Sequence, residues 1–311
     1  MSASGAALRP GVTAVILTHN EALHIARAVA SARQVCSDVI VVDSGSTDGT
    51  AELAREAGAR VLHNPWVNYA RQFAWALEHG GIGTAWVLRL DADELIGGDL
   101  AARIAATLPT LGADVAGVTF DRRHIFMGRW IRHGGRYPLR LLRLWRTGHG
   151  EVEDRWMDEH VLVTGGRTVH IDGAFEDASL RDIAFFVAKH NGYAAREAID
   201  VLDQRLGLFG QVGAMTAHNS GRQAGLKRLV KQRFYNRMPF GTGPALYFLY
   251  RYFLQLGFLD GRPGLVYHFL QGFWYRFLVD VRLWELERAV AGVSSREDRI
   301  AALARATGLK L

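Results

Sequence analysis

Apolar and polar positions come in blocks over the first 95 residues. "VTAVILT" (Val12–Thr18) is an unbroken apolar, β-branched run, the pattern of a strand buried on both faces. "EALHIARAVASAR" (Glu21–Arg33) carries apolar residues at helical spacing. "DVIVVDS" (Asp38–Ser44) is a second buried strand. "GSTDGT" is turn chemistry, with Asp48 placed to cap a helix starting near Gly49 and Gly58 placed to end it. "ARVLHN" predicts a third strand, Asn68–His79 a helix, and "AWVLRLDAD" a fourth strand. This alternation predicts an α/β fold: a Rossmann-like, mostly parallel sheet with helices on both faces.

The rhythm then changes. A helix over Asp99–Leu108 leads to "VAGVTF" and "LRLLRLW", two further strands, and then to short strand-like pieces over Glu151–His170. Ser179–Leu202 is a long helical pattern, and beyond Arg222 the chain turns to Arg, Lys, Phe and Tyr. Three parts follow: a disordered leader (1–10), an α/β domain (11–175) that divides near residue 95, and a helical region (176–311). There is no internal repeat or low-complexity tract. With 311 residues and 49% hydrophobic content the chain can bury one large core or two smaller ones. Cys36 is the only cysteine, so no disulfide forms within the chain, which suits a reducing cytoplasm.

Polar groups gather where the strands end. The first strand runs into Thr18, Asn20 and Glu21, the second into Asp43 and Ser44, the fourth into Asp91, Asp93 and Glu94. In open α/β sheets ligands bind outside the carboxyl ends of the strands, so these groups line the edge where a ligand is expected. Two carboxylates at i and i+2 suit a hard cation, Mg²⁺ or Mn²⁺, held against phosphate oxygens. No Walker A or G-x-G-x-x-G run follows the first strand, which argues against a P-loop or dinucleotide protein. A nucleotide bound through a metal fits better.

"VILTHNE", "VIVVDSGSTDGT" and "WVLRLDADE", in this order, resemble the nucleotide-sugar half of family 2 glycosyltransferases with a GT-A fold. "WMDEHVLVTGG", "KHNGYAAREA" and "GFLDGRPG" are similar to the branch acting on bacterial lipopolysaccharide-core and exopolysaccharide acceptors. The resemblance implies a nucleotide-sugar half over 11–95 and an acceptor half over 96–175. It implies Thr18, Asn20 and Glu21 at the nucleotide edge, Asp43 and Ser44 beside base or ribose, and Arg71 and Gln72 on the third helix. Asp93 stands nearest the metal and Asp91 nearer the ribose. Ser44 and Gln72 depart from the commoner family residues, an acid and an Asn, which leaves the base open; UDP-hexose is the default donor. Inverting transfer needs a general base, and the family's acidic motif falls on "WMDEHVL", giving Glu159 with Asp158 as the alternative and His160 beside them. Arg140 and Arg143 are expected to face phosphate or acidic sugar on the acceptor.

Formal net charge is +6 and the isoelectric point about 9.7. From Arg222 to Arg288 eleven basic residues stand against four acidic ones, interleaved with aromatics. That composition fits nucleic acid or an anionic membrane. A salt-dependent nucleic-acid partner is not expected. The apolar stretches Ala245–Leu259 and Leu265–Trp284 contain charges and are poor spanning segments, so helices at a membrane interface are expected, on the cytoplasmic face, near a lipid-linked acceptor. Three rivals remain: transfer to a polyprenyl phosphate, a sugar-phosphate nucleotidyltransferase, and a non-catalytic membrane-binding module. "THNEALH" stands where the second would carry a glycine- and basic-rich loop, and the third has no use for Asp91, Asp93 and Glu159 together.

Overall fold

The computed structural model describes residues 9–152, 161–209, 239–309 and 311. The chain forms two compact units, 1–154 with 159–181 and 155–158 with 182–311.

In the first unit the buried runs become strands. β1 (Arg9–Thr18), β2 (Asp38–Asp43), β3 (Arg60–His63) and β4 (Thr84–Arg89) lie parallel in the order β3-β2-β1-β4. The connections are α1 (Ile25–Ala32), α2 (Thr50–Glu56) and α3 (Tyr69–His79). Alternate residues of β1 serve opposite faces. Ala14 and Ile16 pack with Ile25, Ala28 and Val29 of α1, whereas Val15 packs with Phe73 and Ala76 of α3. Burial on both faces is why the run is continuously apolar. Asn68 caps α3, its side chain accepting from Arg71 N, and Asp48 accepts from Thr50 N at the start of α2.

The second half of the sheet is mixed. β5 (Glu94–Leu95) and α4 (Gly98–Thr107) follow β4; then come β6 (Val115–Phe126), β7 (Arg129–Trp130) and β8 (Arg140–Arg146). β8 inserts antiparallel between β4 and β6. β11 (Arg167–Asp177) lies parallel to β6 and antiparallel to β5. β11 extends well past the short pieces expected there. Its interruption is Gly173, at φ +129°, where the pairing with β6 shifts and where a Cβ would come within 3.1 Å of Leu100 on α4. β9 (Gly150–Val152) and β10 (Val161–Val163) pair antiparallel in a separate two-stranded sheet.

The second unit is helical. α5 (Ile183–Leu206), capped by Asp182 and closed by Gly207 at φ +65°, starts four residues later than the sequence pattern suggests. It packs on α8 (Tyr275–Val290) through Ala194, Tyr275 and Val279, and near its other end Ala198 and Leu202 meet Leu286 and Leu303. Between them run α6 (Thr242–Leu249), continued by a π-helical stretch over Tyr250–Leu254, and α7 (Gly261–Tyr267), continued by another over His268–Trp274 into α8. α9 (Arg296–Thr307) closes the described chain. Among the described residues no helix is long and apolar enough to cross a membrane.

Candidate active site

The carboxyl ends of β1, β2 and β4 form one polar edge, and each end is held by a different local device. Past β1, Asn20 takes a left-handed conformation (φ 54°), which an Asn tolerates. There its N–H donates to Ser46 Oγ at 2.8 Å and its Oδ1 accepts from Thr47 N at 2.9 Å. Glu21 N donates to Thr50 Oγ1, and the Glu21 carboxylate faces His24 at 2.5 Å and Arg181 at 3.4 Å. Thr18 is buried beneath this edge. Asp43, 1% exposed, accepts from Gly45 N at 3.0 Å and Ser46 N at 2.9 Å, and also from Ser46 Oγ. Asn20 and Asp43 therefore brace the loop Gly45–Thr47 at this edge.

Gln72 is fully buried on α3. Its Nε2 donates to Ser44 Oγ and to Asn64 O, both at 2.9 Å, and its Oε1 accepts from Asn64 Nδ2 at 2.7 Å. It ties the ends of β2 and β3 to α3, while the neighbouring Arg71 is exposed. Gln72→Ala leaves three partly buried polar groups of Ser44 and Asn64 without this partner. It is expected to cost about 1–3 kcal/mol, read as a lower urea midpoint with unchanged slope; an unmoved midpoint would refute the clamp.

The acids after β4 separate into two kinds. Asp91 N donates to Glu94 Oε2 at 3.0 Å and Glu94 N to Asp91 O at 2.9 Å, closing a turn over "DADE". Glu94 points down. It is 2% exposed and its other oxygen pairs with Arg143, itself 6% exposed. Burial pushes the Glu94 carboxyl up to about 8, against the pull of Arg143. Asp91 and Asp93 are only half-buried. Asp91 accepts from Tyr69 Oη at 2.9 Å and faces Arg143 at 3.5 Å and Arg89 at 3.7 Å. Burial alone would raise its pKa, but Arg143 and Arg89 outweigh that and hold it below the usual carboxylate value. Tyr69 is pushed up by burial and by Asp91, and Arg89 lies over its ring at 4.3 Å.

The end of β11 reaches the same turn. Ala178 N donates to Asp93 O at 3.0 Å, and Asp177 stands opposite Glu94 in the β5–β11 register. Asp177 faces His124 at 2.9 Å and Arg122 at 3.5 Å. Burial opposes its ionisation, but His124 and the arginines Arg122 and Arg136 hold it well below the carboxylate range.

Arg143, read from the sequence as facing the acceptor, instead lies inside, donates to Glu94, faces the Asp91 carboxylate at 3.5 Å and packs over the Phe175 ring. Arg140 is exposed on β8 and faces Asp121 at 3.7 Å. Asp158, Glu159 and His160 lie outside the described residues. The strands on either side of them, β9 and β10, pair with each other, and Val161 packs with Phe73, Val87 and Trp145 under the sheet. Tyr69, Arg89, Asn64, His124 and Asp177 are site neighbours that the sequence reading did not single out. The traceable signal was positional: Tyr69 opens a helix, and Asp177 ends a strand.

The donor set suits a hard divalent cation. Asp91 is kept ionised, Asp93 is accessible, and both are oxygen donors. Among the described residues no cluster of three or more His, Cys, Asp or Glu side chains converges as a metal cage, so substrate phosphate oxygens would complete the shell, as is usual for Mg²⁺.

The family model for glycosyl transferase family 2 matches residues 13–177, more than half the chain and all the strand ends just described. The chain belongs to this family. Among its relatives is an uncharacterized glycosyltransferase of Rickettsia felis, 42% identical over 89 residues, which is 29% of this chain and 31% of that protein. The chain thus spans about a third of the length of the Rickettsia relatives it matches. The lipopolysaccharide core biosynthesis glycosyltransferase LpsC of Rhizobium meliloti is 28% identical over 282 residues, covering 83% of this chain and 89% of that one. A glucosyl-3-phosphoglycerate synthase from Mycobacterium tuberculosis, solved with Mn²⁺, UDP and glucosyl-3-phosphoglycerate, is 24% identical over 37% of this chain and 44% of that one. Its TM-score is 0.31, a similarity too partial to bear on donor or metal here.

Proposed function

We propose that the chain transfers a hexose from a nucleotide sugar, UDP-hexose by default, to a hydroxyl of a lipid-linked saccharide of the lipopolysaccharide or exopolysaccharide kind, with inversion and with Mg²⁺ or Mn²⁺. The observation that carries this is the gathering of the β1, β2 and β4 ends on one edge of a family 2 domain, with Asp91 ionised beside Asp93. The length of the alignment with LpsC supports the acceptor class.

The residues divide the work. The Gly45–Thr47 loop, braced by Asn20 and Asp43, receives the nucleoside. Asp93 and Asp91 hold the cation, which supplies positive charge to the diphosphate leaving group. Tyr69, Arg89 and Arg143 orient Asp91 and keep it anionic. Glu159, with Asp158 as the alternative, takes the proton from the acceptor hydroxyl. That oxygen then bonds to the anomeric carbon as the carbon–oxygen bond to the diphosphate breaks, and the electron pair leaves with the diphosphate. Arg140 and His160 belong to the acceptor side. The enzyme works at the cytoplasmic face of a membrane, where its acceptor resides.

The test is a panel of UDP-, GDP-, dTDP- and CMP-sugars, with and without Mn²⁺, on wild type and Glu159→Gln. One sugar nucleotide should bind in a metal-dependent way to both proteins. Transfer by the variant should fall by about 10²–10⁴-fold. Binding of none of the donors would overturn the reading.

A further inference from the structure

The stretch from α6 through α7 departs from the usual surface of a water-soluble domain. Between Leu246 and Phe269 eleven large apolar side chains are exposed, among them Leu254 at 76% and Phe253 at 53%. Leu249, Tyr250, Phe258 and Leu265 extend the same surface. Contiguous apolar exposure on this scale marks a site of interaction. Over Phe240–Tyr275 the formally charged residues are Arg251, Asp260 and Arg262. Arg251 and Asp260 are buried at 3% and 2%, and His268 at 0%, so Arg262 is the one exposed charge of the stretch.

The turn between the two helices is built around its polar groups. A Cβ on Gly257 would come within 2.7 Å of the His268 ring and 2.9 Å of Arg251 O, and one on Gly264 within 2.5 Å of Asp260 Cβ. The Arg251 guanidinium sits 5.8 Å from the Tyr267 ring, which meets the His268 ring at 5.4 Å. The glycines of "GFLDGRPG" thus let Arg251, Asp260 and His268 withdraw behind an apolar shell. Polar groups facing inward and apolar ones facing outward is the arrangement a hydrocarbon medium demands.

We propose that this helical hairpin, with Leu254 at its leading end, inserts into one leaflet of an anionic lipid bilayer as a monotopic anchor. The inference deepens the reading of a membrane-borne acceptor and rests on it. Charge selects lipid over other apolar partners: no acidic residue occurs between Asp203 and Asp260, while Arg222, Lys227, Arg228, Lys231, Arg233 and Arg237 precede the hairpin. Length selects one leaflet. The 13 helical residues of Thr242–Leu254 reach about 20 Å, against a hydrocarbon core of ~30 Å.

The test uses the full chain with vesicles of phosphatidylethanolamine and phosphatidylglycerol, beside pure phosphatidylcholine vesicles. A fluorophore is placed on Leu254→Cys; Cys36 is buried and its thiol pushed up to about 12, so it stays unlabelled. The probe should be quenched by a nitroxide on the lipid chains and shielded from aqueous iodide. Phe253→Asp with Leu254→Asp should weaken vesicle binding by at least about tenfold with an unchanged circular-dichroism melt, since both side chains are exposed. Iodide quenching on vesicles, or undiminished binding by the double variant, would overturn insertion. So would a dimer that shields the probe without lipid. Donor binding with Mn²⁺, measured on the same samples before lipid is added, reports on the glycosyl-transfer reading separately.

Discussion

Asp93→Ala is expected to lower metal-dependent transfer by about a thousandfold while leaving the protein folded. The carbonyl of residue 93, not its side chain, accepts from Ala178 N, and alanine keeps that bond. Both carboxylates are half-buried, and Asp91 is held in place by Tyr69, Arg89 and Arg143. On the proposed role, loss of Asp93 would remove one of the two carboxylates that would hold the cation. Wild-type activity should vanish in EDTA and return with Mn²⁺, and the residual activity of the variant should respond to neither. Asp93→Asn keeps the shape and removes the charge, so it should resemble the alanine variant in rate. Full wild-type activity in EDTA would sink the metal assignment.

The parallel half of the sheet was legible because burial on both faces leaves a continuous apolar run, and because turn residues such as Gly58 and Asn68 punctuate it. The strand ends were legible for the same reason: a run that must stop being apolar shows where the edge lies. β11 was hidden. Its pattern is broken by Asp172 and Gly173, and the break is a register shift beside α4, a tertiary cause with no local trace. Arg143 was hidden more thoroughly. In "LRLLRLW" Arg140 and Arg143 look alike, but they stand three apart and so fall on opposite faces of a strand, and Arg143 is the extra residue of β8 where the pairing with β6 shifts, between Leu142 and Leu144. The partner that makes its burial tolerable, Glu94, is 49 residues away.

Glu94 and Arg143 carry the second large effect, on stability and its pH dependence. Glu94 titrates from an ordinary carboxylate value in the unfolded chain to about 8 in the folded one. The folded state therefore binds the extra proton between those values, and stability is lost as pH rises through them. The slope is up to ~1.4 kcal/mol per pH unit, or several kcal/mol in all. In Glu94→Gln the amide oxygen still accepts from Asp91 N, but nothing at this position titrates. Urea unfolding of both proteins without metal, at unit steps from pH 5 to 9, should show wild type losing stability relative to the variant up to about pH 8, with a constant difference beyond. A difference that stays constant from pH 5 would mean that Arg143 holds Glu94 ionised throughout. The turn would then rest on a true buried ion pair, and Arg143→Ala, by stranding that charge, should cost about 3–5 kcal/mol.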